Sequence, residues 1–138
     1  MTLPDLVRFA REHSLAVVSS IGPEGTPQSA LVGIAISNSL EIIFDTVSMS
    51  RKYANLTARP ACSFVIGWMG EITMQYEGVA ELPTGDELRR YQEIYFAKWP
   101  DGRDRLNWKG ICHFVVHPKW VRYSDFSGAA PVIEEFSF

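Results

Sequence analysis

The chain of 138 residues lacks the features that mark secreted, membrane or nucleic-acid-binding proteins. Its 2 cysteines, Cys62 and Cys112, both lie in apolar runs, so we expect buried, reduced thiols, with a disulfide between them as the alternative. No apolar stretch is long enough to cross a membrane, and no basic, apolar leader opens the sequence. The net charge of −3 argues against a broad nucleic-acid footprint. We therefore expect a cytoplasmic protein that binds neither membranes nor nucleic acids.

Several catalytic motifs are also missing. There is no Gly-x-Gly-x-x-Gly sequence and no phosphate-loop lysine motif, which disfavours a dinucleotide fold or an ATPase. No nucleophile-elbow serine supports hydrolysis. His113 and His117 lie four apart in a predicted strand and would face the same side, but no third ligand accompanies them. The sequence therefore predicts no metal site and identifies no catalytic residue.

The residues that are present describe one globular domain over residues 1–138, with 46% hydrophobic and 21% charged residues. Periodicity and turn residues predict helices at 3–13, 51–58 and 84–98, and strands at 15–21, 28–37, 41–45, 61–68, 72–82 and 111–126. Dense turn sequences such as 22–27 join neighbouring strands as hairpins. The fold class is therefore mainly β, a small six-stranded antiparallel barrel with a few flanking helices.

Local signals add three expectations. Thr84 and Glu87 have the spacing of a capping box at the start of the longest helix. Pro118 should bend the last strand. The tail 129–138 looks irregular but is too apolar for a free end, so we expect it to dock on its own domain or on a partner subunit.

The segment from Thr46 to Lys52 carries the main functional signal. Ser50 is a suitable N-cap, so Arg51 and Lys52 would lie in the first turn of a helix, where the helix dipole disfavours cations. Exposed backbone N–H groups, hydroxyls and two cations together suit a bound anion, most naturally a phosphate. The alternative is a solvated turn with two surface charges.

The chain resembles the pyridoxamine 5′-phosphate oxidase-like family of FMN-binding split barrels. The resemblance runs from the strand at Leu15 to about Asp125. It is carried by residues 22–27, Phe44-Asp45-Thr46, Ser50-Arg51-Lys52, Arg59-Pro60, Trp68 and Gly78. It implies a split β-barrel that binds FMN, with Thr46, Ser50, Arg51 and Lys52 holding the FMN phosphate.

The resemblance also implies contacts with the flavin ring. The strand that contains Leu31, Val32 and Gly33 matches the one that lies along the isoalloxazine, largely through backbone groups. Gly33 suits this role because a missing side chain lets a ligand approach closely, and a bulge or a packing gap is the alternative.

Three further residues are implied by the resemblance. The family places a polar side chain, often Gln, on the strand after Trp68, where it reaches toward the flavin of the other subunit. Thr73 and Gln75 are the candidates here, although their spacing to Gly78 is one residue short of the expected pattern. Trp68 either stacks at a dimer interface or belongs to the core.

The implied function is an FMN-dependent oxidoreductase of an unknown small molecule, built as a homodimer with two flavin sites across its interface. The sequence lacks the paired arginines that would hold a substrate phosphate, so pyridoxine metabolism is not assigned. The aromatic and basic loop 99–108 would either cover a flat ligand beside the flavin or form an anchored surface loop. The alternative function is a non-catalytic binder of flavin, haem or the deazaflavin F420.

Overall fold

The computed structural model describes all residues from Met1 to Phe138. The helices are α1 (Leu3–Arg11), α2 (Arg51–Ala58) and α3 (Gly85–Lys98). The strands are β1 (Leu15–Ile21), β2 (Pro27–Gly33), β3 (Ala35–Ile36), β4 (Ile42–Val47), β5 (Ala61–Ile66), β6 (Ile72–Glu81), β7 (Ile111–Asp125) and β8 (Val132–Ser137). Short 3₁₀ segments lie at Pro23–Gly25, Met69–Glu71 and Pro100–Asn107. None of the helices is long and apolar enough to cross a membrane.

All strands belong to one antiparallel sheet in the order β2-β1-β5-β6-β7-β4-β3, with β8 paired to β7. The long strand β7 pairs with β6 along one edge, and with β4 and then β8 along the other. The sheet curls into an open half-barrel around the core, so the mainly β split-barrel class predicted from the sequence is confirmed. The sheet has eight strands, where the sequence predicts six.

One extra strand arises because the predicted strand 28–37 divides at Ile34. Before Ile34 the chain pairs with β1, and after it the chain pairs with β4. At the division, the Ile34 N–H donates to the Ser14 carbonyl at 2.9 Å, and the Ile34 side chain is fully buried. The change of partner turns the chain around the open end of the barrel.

The other extra strand is β8, in the tail that the sequence describes as irregular. The tail docks on the sheet of its own chain, where Trp120 to Asp125 pair with Ser137 to Val132. The N-terminal ammonium of Met1 lies 2.8 Å from Glu134 on this strand. The prediction that the tail is not free is therefore confirmed, while the absence of regular structure is wrong for β8.

The bend predicted at Pro118 is present as a β-bulge. Gly78 pairs with Pro118 and Glu77 with Trp120, which leaves Lys119 as the additional residue on β7. Proline has no N–H to donate to a strand ladder, so the position next to an interruption of the ladder accommodates it.

The barrel interior is aromatic. Phe44 stacks on Phe114 with ring centroids 5.5 Å apart, and Phe64 meets Tyr76 edge-on at 5.8 Å. The hydroxyl oxygen of Tyr76 lies 3.0 Å from the Leu40 carbonyl and 2.9 Å from the Val116 carbonyl. This contact satisfies the one polar atom of a fully buried ring.

Helix α3 covers the outer face of β4 and β7. Its Tyr91, Tyr95 and Phe96 form a second apolar cluster with residues of the sheet that include Ile43. Thr84 is the N-cap residue of this helix, but its side chain makes no capping hydrogen bond, so the predicted capping box is wrong. The capping box of the chain lies instead at α1, between Thr2 and Asp5.

Candidate functional site

The start of α2 has the local structure that the sequence predicts. Ser50 is the N-cap, and its hydroxyl oxygen accepts a hydrogen bond from the Tyr53 N–H at 3.2 Å. Arg51 and Lys52 are the first two helical residues, and the first turn holds no acidic side chain. Two cations therefore lie at the positive end of the helix dipole, where neighbouring N–H groups favour an anion.

Thr46 joins this helix start from the end of β4. Its hydroxyl donates to the Ser50 hydroxyl oxygen at 2.9 Å. The Ser50 oxygen thus accepts from both Thr46 and Tyr53, which leaves the hydroxyl hydrogen of Ser50 available to a ligand.

Arg51 and Lys52 line a cavity of about 100 Å³ between α2 and the first hairpin. The other lining residues are uncharged, and several carry hydrogen-bonding side chains: Val18, Ser20, Gln28, Ser29 and Ala30. The volume is well below the roughly 300–1,000 Å³ of a cavity that encloses a whole ligand. The space suits a head group, such as a phosphate, and not a ring system.

Neither cation at this cavity is neutralised by the protein. No carboxylate lies within ion-pair distance of Arg51 or Lys52, whereas other arginines of the chain, such as Arg105 and Arg122, contact acidic side chains. Because the lining also contains no acidic residue, the cavity keeps an uncompensated positive charge. That charge would stabilise a bound anion.

Asn55, which the sequence does not single out, organises the same cavity. It is buried in α2, and its side-chain amide donates to the Ser20 hydroxyl oxygen and to Gln28 Oε1, both at 2.9 Å. Those two bonds connect α2 to β1 and β2 and leave the Ser20 hydroxyl hydrogen unused. The sequence contains one sign of this arrangement, because the polar residues Ser20 and Gln28 lie at inward-facing positions of apolar strands.

The three residues predicted beside a flavin ring lie at the end of β2 with different surroundings. Val32 points into the core, while Leu31 points outward with 60% of its surface exposed. A Cβ atom on Gly33 would lie 2.8 Å from Cζ2 of Trp99, so the indole covers the space that the missing side chain leaves. The packing alternative for Gly33 therefore has a structural basis, and its contact with a flavin stays a prediction.

Trp68 and Thr73 lie together, apart from the cavity at α2. They line a shallow cavity of about 450 Å³ with Ile72 and Phe126. Trp68 is 51% exposed, so it is not a core residue in the single chain. Gln75 follows on β6 and is exposed on the outer face of the sheet.

The sheet register gives the distance between the residues predicted at the flavin on β2 and on β6. Leu31 pairs with Val17, Val17 with Val65, and Val65 with Gln75, so the four lie in one row across the outer face of β2, β1, β5 and β6. Three strand spacings, roughly 14 Å, separate Leu31 from Gln75. Within one chain, the structure brings together Thr46, Ser50, Arg51 and Lys52, and separates them from Trp68, Thr73 and Gln75.

The two histidines of β7 occupy separate polar networks. His117 lies between carboxylates, with Nδ1 3.0 Å from Glu41 and Nε2 2.7 Å from Glu81. Tyr91 donates to Glu41 at 2.6 Å, and burial together with that carboxylate raises the pKa of Tyr91 to about 12. No group of three or more His, Cys, Asp or Glu side chains is placed to hold a metal ion.

His113 is buried against α3, and its Nε2 has no hydrogen-bond partner. Burial lowers the pKa of this imidazole, which keeps it neutral. The adjacent Asp45 accepts from Arg105 Nε at 2.7 Å, in an ion pair that is largely shielded from solvent. That contact fixes the segment Pro100–Asn107, which the sequence describes as a loop, over the end of β4.

Both cysteines are free thiols. Cys62 is buried and Cys112 is half-buried, and burial raises the pKa of each thiol. Neither thiol lies in a setting that would favour a reactive thiolate.

The sequence profile of the pyridoxamine 5′-phosphate oxidase family matches residues 3–125. No curated protein matches the sequence.

Solved structures show the same fold. A heme binding protein from Mycobacterium smegmatis superposes with a TM-score of 0.83 at 16% identity, covering 99% of this chain and 58% of its own. ChuZ from Campylobacter jejuni gives 0.79 at 8% identity, over 96% of this chain and 58% of its own. A pyridoxamine 5′-phosphate oxidase-related, FMN binding protein from Nostoc punctiforme gives 0.69 at 11% identity, over 99% and 92%. This chain thus spans little more than half of the first two proteins.

Proposed function

We propose, since the chain belongs to the pyridoxamine 5′-phosphate oxidase family, that residues 1–138 form one FMN-binding domain. In this proposal the domain is an oxidoreductase that acts on a small molecule, and two copies form a homodimer. A fold shared with both a heme binding protein and an FMN binding protein does not choose between the cofactors, so the choice of FMN depends on the residues of this chain.

The observation that carries the proposal is the uncompensated charge at the start of α2. Arg51 and Lys52 line a cavity that contains no acidic residue, and the cavity has the size of a head group. A flavin mononucleotide ends in a phosphate, whose charge and acceptor oxygens suit a site with two cations, hydroxyl groups and a helix N-terminus. Ser20 and Gln28 add neutral donors whose positions Asn55 fixes. The cavity therefore fits the phosphate end of FMN.

Each predicted phosphate ligand has a distinct part. Lys52 is half-buried and would supply a fixed charge, while Arg51 is exposed and would close over the phosphate from the solvent side. Ser50 would donate its free hydroxyl hydrogen, and Thr46 would orient Ser50 through their mutual hydrogen bond. The N-terminal N–H groups of α2 complete the set.

The rest of the cofactor would run along the outer face of β2. The strand carries Ser29 at the phosphate cavity and Gly33 at its other end, about 13 Å apart in an extended chain. Leu31, which lies between them, is an exposed apolar side chain against which a ring could pack. The bound flavin would supply the redox chemistry, and the protein would bind and orient it and limit access to it.

The proposed homodimer is supported by the same face of the sheet. Leu31 and Val65 are exposed apolar side chains in one row, with the half-buried Val17 between them. Trp68 is exposed at the edge of this face. A second copy covering the row would place its own Gln75 near the first chain's β2, which is the role that the family resemblance gives to that side chain.

The cofactor is tested by spectroscopy and by paired titrations. The purified protein should be yellow, and denaturation should release FMN. The stripped protein should bind FMN more tightly than riboflavin, which has the same ring without the phosphate. Lys52→Met should weaken FMN binding about tenfold or more while leaving riboflavin binding unchanged, because a charge-assisted bond contributes ~1.5–3 kcal/mol.

Lys109→Met is the control, because Lys109 likewise has no acidic partner but is exposed and does not line the cavity. Equal affinities for FMN and riboflavin, or an unchanged FMN affinity in Lys52→Met, would refute the phosphate assignment. A Soret band in place of a flavin spectrum would show the haem alternative, and a deazaflavin spectrum would show F420. Reduction by NAD(P)H followed by turnover of an acceptor would distinguish an enzyme from a carrier.

A further inference from the structure

A separate cavity of about 390 Å³ opens between the end of α1 and one face of α3. Its floor is formed by Ile34, Ala35 and Ile36, and its wall on α3 by Ile94 and Ala97. We call it the α1–α3 cavity. Its volume lies within the range of small-molecule sites, and most of its lining is apolar, so it could enclose a compact apolar group.

Arg11 and Lys98 lie at the rim of the α1–α3 cavity, and hydrogen bonds to uncharged groups orient both side chains. Arg11 donates to the Ile36 carbonyl through Nε at 3.1 Å and Nη2 at 3.0 Å, and Nη2 also lies 2.8 Å from Asn38 Oδ1. Lys98 Nζ donates to the Arg11 carbonyl at 3.0 Å, which ties the end of α3 to the end of α1. Arg11 Nη1 and two hydrogens of Lys98 Nζ have no protein acceptor.

The charged residues that line this cavity are both positive. Arg11 and Lys98 make no ion pair, and no acidic residue lines the cavity. His13 completes the wall, and its Nδ1 lies 2.9 Å from the Phe9 carbonyl, which orients the ring. An apolar floor with two oriented, uncompensated cations at its rim is complementary to a molecule with an apolar body and one anionic group.

We propose that the α1–α3 cavity binds a small organic carboxylate with a compact apolar or aromatic body. The apolar body lies on the Ile34–Ile36 floor against Ile94 and Ala97. The carboxylate accepts hydrogen bonds from the unused donors of Arg11 and Lys98. This site is formed by α1, β3 and α3, so it does not depend on the proposed flavin site at α2.

The probe for this proposal is 2-naphthoate, titrated into the full-length protein and followed by ¹H–¹⁵N NMR. Saturable shifts are expected in the backbone amides of residues 11–13, 34–36 and 94–98. The neutral analogue 2-naphthalenemethanol has the same apolar body and should bind about tenfold more weakly, because it lacks the charge-assisted bonds.

Two variants test separately the charge of Lys98 and the volume of the cavity. Lys98→Met keeps most of the aliphatic side chain and should weaken 2-naphthoate binding about tenfold, while Lys109→Met, which removes a lysine elsewhere, should leave it unchanged. Ala97→Phe changes no charge and should abolish binding by filling the cavity. Both positions are exposed on the surface of α3, so neither substitution disturbs the core.

Three results would overturn the proposal. The first is equal binding of 2-naphthoate and 2-naphthalenemethanol, which would mean that the cations do not select the ligand. The second is a set of shifts confined to residues of α2 and β2, which would place the anion at the flavin site instead. The third is the absence of saturable shifts up to the solubility limit of the probe.

Discussion

Trp99 packs against Gly33, and its indole Nε1 donates to the neighbouring Ile34 carbonyl at 3.0 Å. A Cβ atom on Gly33 would come within 2.8 Å of the indole. Trp99 therefore closes the end of the outer face of β2, along which the proposed flavin would lie.

Gly33→Ala should lower the free energy of unfolding by about 1–3 kcal/mol, because the added methyl group overlaps the indole. Gly33 does not have a positive φ, so backbone strain plays no part. Urea unfolding would measure the change. In a Trp99→Leu background the same substitution should cost much less, and this non-additivity is the signature of direct contact. Additive effects would show that the indole moves away without cost.

Asn55→Ala should weaken FMN binding several-fold and leave riboflavin binding unchanged. The reason is that Ser20 and Gln28 would lose the amide that positions them, and only the phosphate contacts them in the proposed complex. The variant should also lose about 1–3 kcal/mol of stability, since buried acceptors lose their donor. Paired titrations with the two flavins and a urea titration give both values.

Asn107→Ala is the control for Asn55→Ala, because Asn107 is exposed. It should change neither flavin binding nor the stability measured in urea. Equal weakening of FMN and riboflavin by Asn55→Ala would mean that Asn55 only stabilises the fold. The proposed positioning of Ser20 and Gln28 would then be wrong.

Arg105→Met should destabilise the protein by about 1–3 kcal/mol, because it leaves Asp45 without a partner in a largely shielded position. The Asp45 carboxylate also raises the pKa of Arg105 above its usual range, so the guanidinium stays charged. Arg103→Met, which breaks an exposed pair with Glu93, should cost less than about 1 kcal/mol. Thermal unfolding of the two variants compares them, and equal costs would contradict a structural role for the Asp45 pair.

Local signals in the sequence are sufficient for most of this fold. Alternating apolar residues and turn sequences predict the hairpins, Ser50 predicts the start of α2, and Pro118 predicts the bend in the last strand. The sequence does not predict that the chain changes partner at Ile34, because residues on both sides are apolar and extended. That change is set by long-range contacts with Ser14 and Trp99.

The candidate site was predictable only in part for a similar reason. Arg51 and Lys52 are adjacent in sequence, so their unusual charge at a helix start is visible without a structure. Asn55 is different, since its function depends on β1 and β2, about thirty residues earlier in the chain. The contact of Trp99 with Gly33 joins segments still further apart. A single sequence carries no record of such pairings.

The two thiols should resist modification in the folded protein. Burial raises the pKa of Cys62 to about 12 and of Cys112 to about 11, from an ordinary value of 9.0. At mildly alkaline pH a thiol reagent should therefore label neither residue until denaturant is added, when both should react. Rapid labelling of Cys62 in the native protein would show that the barrel opens at β5.

The same shifts predict how stability depends on pH. Because folding raises the thiol pKa, the unfolded chain loses its proton first, so stability falls as the pH rises from about 9 toward 12. Cys62→Ala should remove part of that loss while retaining the loss due to Cys112. Plotted against pH across this window, the urea midpoints of the wild type and of Cys62→Ala should have different slopes. Parallel slopes would mean that Cys62 is not shielded from solvent as the structure shows.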